Sequence, residues 1–177
     1  MKRLVSVGLA VLSVAVLAPR GTLADHDRDD VTMRATLRGA HEVPPINTAG
    51  SARFTARVHR DDTITFKLTF ANLSSNLVVS HIHFAQFNVN GGVMIFLCGG
   101  DAQPACPAAT SGTIEGTIAP ANVVGPAGQG IAAGDLASAL RAIGQGEGYA
   151  NIHTVRFGGG EIRGQIQVRR GDDDDDD

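Results

Sequence analysis

The sequence has no Trp and a single Tyr, Tyr149, and aromatic residues make up only 5% of it. A carbohydrate cleft built on stacked aromatic rings is therefore unsupported. Nucleophile motifs are also missing. "GTLAD" and "TSGTIEG" set Ser or Thr near Gly, but neither has the G-x-S-x-G form. "GPAGQG" has glycines without a following Lys-Ser/Thr, so it reads as a loop rather than a phosphate cradle. With no such group to assign, the residues favour a protein that is not an enzyme. Cysteine is scarce as well, with only Cys98 and Cys106 in "LCGGDAQPACP". Their spacing is too long for a C-x-x-C motif, and in an oxidising compartment a disulfide closing this short loop is expected; a thiol metal ligand or a redox pair is the alternative.

Only one long apolar run is present, Leu4 to Ala18, preceded by the basic Lys2 and Arg3 and followed by small residues up to Ala24. This is the layout of a secretory signal over residues 1–24. The run is shorter than the roughly 20 apolar residues a membrane span needs, and Pro19-Arg20-Gly21 interrupts it. A secreted or periplasmic protein with no membrane span after cleavage is expected. Removing Lys2, Arg3 and Arg20 from 15 basic residues leaves 12 against 18 acidic ones, a formal charge of −6. Six of those acids form the run Asp172 to Asp177. The body is thus nearly neutral overall, and no nucleic-acid partner is expected. About 150 residues remain, enough for one domain with a sizeable core. The terminal segment 169–177 is expected to be disordered, since its charges repel and it has little to bury.

What is abundant is period-two alternation. Val31, Met33, Ala35 and Leu37 alternate with polar residues, as do Ala52, Phe54, Ala56 and Val58, then Ile64, Phe66, Leu68 and Phe70. Asp61-Asp62 between the last two runs marks a hairpin turn. "LVVSHIHFA", "GGVMIFLC" and "SGTIEGTIA" supply three more strands, and "GYANIHT" and "GEIRGQIQV" close the domain. In the final strand Ile162, Gly164, Ile166 and Val168 are expected on one face. A single helix is expected in "GDLASALRAIGQG", with Leu136, Leu140 and Ile143 at helical spacing, Asp135 as its N-cap and Gly144 as its stop. Eight short strands, one short helix and many Gly turns predict an all-β protein, an antiparallel sandwich or barrel of immunoglobulin-like or superoxide-dismutase-like form.

Four segments carry a family resemblance. "GAHEVPP", "HIHFA", "GYANIHT" and "GGEIRGQI", in this order, resemble the CHRD domain, which is named after chordin and is frequent in secreted bacterial proteins. The resemblance covers residues 31–168, and the pair "NIHT" and "GEIRGQI" is its most specific part. It implies an exported all-β domain without a defined activity, acting as a non-enzymatic binding or structural module on an extracellular or cell-envelope partner. The cysteine-rich growth-factor-binding modules that accompany these domains in chordin have no counterpart here.

Three histidines carry the chemical question. His81 and His83 share one face of their strand, because residues two apart point the same way, and Ile82 and Phe84 point to the other. His153 lies on the same face as Tyr149 and Asn151, so a neighbouring strand would bring it beside the pair. Three neutral imidazoles can bind a single copper or zinc ion and leave a position for water or substrate, so the alternative function is a mononuclear metal-binding protein open to redox activity. Asn151, Glu161 and Arg163 are candidates to surround such a site, with Asn151, Glu161 or Gln165 fixing a ring through its other nitrogen. The H-x-H strand also looks like that of the copper/zinc superoxide dismutases. That family's two-metal site needs more His and Asp ligands than His26, His41 and His59 can supply, so dismutase activity is not expected. The competing reading makes the three rings donors to loop carbonyls and carboxylates that tie strands together. Glu161 and Arg163, with Glu42 reaching Arg163, are read as an ion-pair group, and Glu42 with Glu161 as a carboxylate pair is the functional alternative.

Overall fold

Strands whose alternate side chains are apolar can pair into a sheet only if all of those side chains turn the same way, and here they turn inward. The computed structural model of the protein describes residues 31–100 and 103–169. The leader 1–24, His26 and the acidic run Asp172 to Asp177 lie outside the described residues. Strand β1 (Thr32–Arg38) buries Met33, Ala35 and Leu37 and exposes Arg34, Thr36 and Arg38. β2 (Ser51–Val58) and β3 (Ile64–Ala71) form the expected hairpin, with Val58 opposite Ile64. Its turn is held by Asp61, whose carboxylate accepts from the Thr63 N–H at 3.2 Å and the Thr63 hydroxyl at 2.6 Å.

β4 (Leu77–Phe84), β5 (Gly92–Cys98), β6 (Gly112–Ile118), β7 (Gly148–Thr154), β8 (Ile162–Gln165) and β9 (Gln167–Arg169) complete the set. Every pairing is antiparallel, in the order β5-β4-β7-β8-β1-β2-β3-β6, with β9 on β1. The result is a nearly closed, barrel-like sheet. Phe54, Leu68, Ile82, Ile95 and Ile152 fill its interior, and burying a side chain of this size stabilises by roughly 1.5–3 kcal/mol. The all-β expectation with one short helix holds.

The final strand is not continuous, so the described residues form nine strands rather than eight. Ile162 to Gln165 pair with β7, whereas Gln167 to Arg169 pair with β1. Ile166 stands between them, buried, its N–H donating to the Gly148 carbonyl at 2.8 Å. At the crossing, a Cβ on Gly164 would overlap the Thr36 carbonyl of β1, so only glycine fits there. Helix α1 (Leu136–Gly144) covers one part of the barrel with Leu136, Ala139, Ala142 and Ile143, and the Asp135 carboxylate accepts from the Ser138 N–H at 2.9 Å. Gly144 is its last residue rather than its stop. The left-handed turn falls on Gly146 at φ 80°, because the Glu147 N–H still reaches back to the Ala142 carbonyl. Cys98 and Cys106 form the expected disulfide across the loop that leaves β5. Among the described residues no helix is long and apolar enough to cross a membrane.

Candidate metal centre

The centre is built where β4 and β7 run side by side. Their register sets Val79 opposite His153, His81 opposite Asn151 and His83 opposite Tyr149. His153 is therefore diagonal to His81, on the face opposite the core residues Ile82 and Ile152. Ring centroids lie 4.4 Å apart for His81 and His83, 4.6 Å for His81 and His153, and 6.4 Å for His83 and His153. One ring nitrogen from each of the three residues falls within 4.8 Å of the other two.

Hydrogen bonding fixes which nitrogens face inward. His83 Nδ1 is 2.9 Å from the Gly91 carbonyl and His153 Nδ1 is 2.9 Å from the Gly158 carbonyl. A carbonyl only accepts, so both Nδ1 atoms carry the proton and both Nε2 atoms keep a lone pair in the neutral ring. Those two Nε2 atoms, and His81 Nδ1, are buried without a hydrogen-bond partner. Burial lowers the pKa of His81 to about 3, helped by the neighbouring His83 and His153. Burial likewise lowers His83 to about 4 against the Gly91 carbonyl bond, and it lowers His153. At neutral pH all three rings are uncharged donors of electron pairs.

The surroundings are aromatic and then ionic. Phe96 meets His81 edge-on at 5.4 Å, and the Tyr149 ring stacks on His83 at 4.7 Å with a 7° tilt. The Arg163 guanidinium carbon lies 4.7 Å from the Tyr149 ring. Arg163 is only 4% exposed and acts as a clamp for two loops: Nε donates to the His41 carbonyl at 2.6 Å, and Nη1 donates to the Val89 carbonyl and to Asn90 Oδ1. Glu42 is buried beside it at 3.9 Å and accepts from Asn151 Nδ2 at 2.6 Å. Burial pushes the Glu42 carboxyl up to about 7, against the pull of Asn151 and Arg163.

The residues singled out in the sequence thus separate into three places. His81, His83 and His153 come together. Asn151 turns to Glu42 and the Ile162 carbonyl. Glu161 is fully buried elsewhere, accepting from Ser74 N, Ser74 Oγ, Thr48 Oγ1 and Thr154 Oγ1. The rings of His83 and His153 are oriented by backbone carbonyls rather than by Asn151, Glu161 or Arg163, and the only hint of this in the sequence is the run of glycines after each histidine strand. The Glu42–Arg163 approach is present, as a buried pair. His41 sits against Phe87, and His59 bonds Thr65 Oγ1 at 2.9 Å, both outside the cluster.

The CHRD domain family model matches residues 33–166, most of the chain. The chain belongs to the CHRD domain family. The match runs from β1 to Ile166, so all three histidines, the Arg163 clamp and the disulfide lie within the CHRD domain. Comparison with curated proteins and with solved structures finds no match.

Proposed function

We propose that this CHRD domain is an exported metal-binding module in which His81, His83 and His153 hold a single copper or zinc ion. Two observations carry this reading: each of the three residues has a buried ring nitrogen without a partner, and one ring nitrogen from each lies within 4.8 Å of the other two. Buried polar atoms are almost always paired, and lone pairs brought together in a poorly solvated place repel unless a cation lies between them. A tying role for the rings explains the bonds to Gly91 and Gly158. It leaves the three inward nitrogens without a purpose.

The donor set is neutral, all nitrogen and borderline in softness, which suits copper or zinc better than magnesium or calcium. With both cysteines in a disulfide, no thiolate competes for the role. Around a tetrahedral ion at about 2.0–2.1 Å, donor nitrogens stand roughly 3.4 Å apart, so nitrogens that now lie within 4.8 Å of one another must draw together on binding. Three protein ligands leave a fourth position for water or a small ligand. Export is proposed from the leader over residues 1–24 and agrees with the Cys98–Cys106 disulfide.

The test is elemental analysis and titration of the purified chain. One equivalent of copper or zinc is expected, and it should be lost in His83→Ala and His153→Ala variants that keep the parent circular dichroism. Variants that keep the parent's metal content while losing stability would leave only the tying role.

A further inference from the structure

A second feature stands apart from the histidines and does not depend on the metal reading. On the outer face of β9, β1, β2, β3 and β6 the exposed cations are Arg34, Arg38, Arg53, Arg57, Lys67 and Arg169. The other described Lys and Arg residues, Arg60, Arg141, Arg156 and Arg163, lie elsewhere. Among the described residues Glu115 is the one acidic side chain of this face, and it pairs with Lys67 at 2.8 Å. A chain that is nearly neutral in its body has therefore gathered most of its positive charge on one side of the barrel.

The arrangement on this face is regular. The register sets Thr32 opposite Arg57, Arg34 opposite Thr55, Thr36 opposite Arg53 and Arg38 opposite Ser51. Each arginine is thus opposite a hydroxyl and diagonal to the next arginine, at about 7–8 Å. Arg57, Arg34, Arg53 and Arg38 form a zigzag that climbs the β1–β2 seam over roughly 20 Å. Thr65 and Thr69 of β3 extend the hydroxyl rows beside it.

We infer that this face binds a linear acidic polysaccharide lying along the β1–β2 seam. Four guanidinium groups at even steps match repeated carboxylate or sulfate charges, and arginine binds both in a two-pronged manner. The threonine hydroxyls give and accept hydrogen bonds to sugar hydroxyls between the charges. Other polyanions fit less well. Among its described residues the face presents no aromatic side chain on which bases could stack, and no large apolar side chain that could enter a lipid headgroup layer. The shortage of aromatics that speaks against a stacking cleft leaves charge and hydroxyls as the means of binding.

The experiment uses the purified chain with a fluorescent heparin-derived decasaccharide, with neutral dextran as control. Binding to the decasaccharide alone is expected, weakening at least about tenfold between 50 and 200 mM salt. An Arg34→Gln/Arg53→Gln variant should lose about tenfold or more in affinity at 50 mM salt, while Arg141→Gln/Arg156→Gln keeps it within about twofold. These positions are exposed, so the variants should fold, and circular dichroism checks this. Equal binding by the parent and the Arg34/Arg53 variant overturns the inference. So does binding of a single-stranded oligonucleotide or of phosphatidylglycerol vesicles through the same arginines in the absence of decasaccharide binding.

Discussion

Glu42 and Glu161 are both buried carboxyls, yet their surroundings drive them in opposite directions. Burial raises the pKa of Glu161, but donors from Thr154, Thr48 and Ser74 outweigh it and hold the group below its ordinary value. Glu42 has a short bond from Asn151, a guanidinium at 3.9 Å and a backbone bond from Val43, too little to offset burial, and rises from 4.5 to about 7. Between those two pH values the folded chain keeps a proton that the unfolded chain releases, so the contribution of Glu42 to stability falls as pH rises through this window. His81 and His83 act with the opposite sign. Their folded values, about 3 and about 4, lie below the ordinary 6.5, so their contribution is present above 6.5 and is lost as pH falls. The difference between variant and parent isolates the carboxyl. A Glu42→Gln variant should match the parent near pH 4 and exceed it by about 1–3 kcal/mol at pH 8 in urea unfolding. Parallel profiles for the two proteins would remove this account of Glu42.

At the scale of elements, the decisive junction is where β8 meets β1. β7 carries His153, and its other neighbour, β8, supplies Arg163, which clamps the loops on either side. That geometry needs the backbones to approach at Gly164. A Gly164→Ala change should therefore cost about 2–4 kcal/mol, read from the midpoint of chemical unfolding. Gly158 is the useful contrast. Its carbonyl holds His153, but a Cβ there meets nothing within 4 Å, so Gly158→Ala should change stability by less than about 1 kcal/mol. Similar losses at both positions would mean that close approach at Gly164 does not control the junction.

For the whole molecule, an ion bound only by the folded chain must stabilise it. At about a hundred times its dissociation constant the gain is roughly 2.7 kcal/mol. A thermal scan should show the midpoint rising by several degrees on adding copper or zinc, and no rise in His83→Ala. An unchanged midpoint in the parent at saturating ion would count against a site that links β4 to β7. Charge is also distributed at this scale, since a near-neutral body hides a cationic side on β1, β2 and β3 and a buried ionic group under the loops.

Much of this could be read from the chain. Period two in Met33 to Leu37, Ala52 to Val58 and Ile64 to Phe70 determined which side chains line the interior, because in a strand parity alone sets the face. The same rule put His81 and His83 together on a face, and two alternating runs on either side marked Asp61-Asp62 as a turn. It could also have shown the arginine ladder, since Arg34, Arg38, Arg53, Arg57 and Lys67 all hold polar parities, but net charge averages that signal away. Other features follow from contacts between residues far apart in sequence, and only the tertiary structure decided them. The break at Ile166 depends on β1 arriving beside β8, and the burial of Glu42 and Arg163 depends on two loops closing over them. Strand order determined that β7 lies beside β4, which sets His153 against a pair some seventy residues earlier. Which nitrogens face inward depends on the carbonyls of Gly91 and Gly158, and no local pattern specifies where a distant backbone oxygen will point.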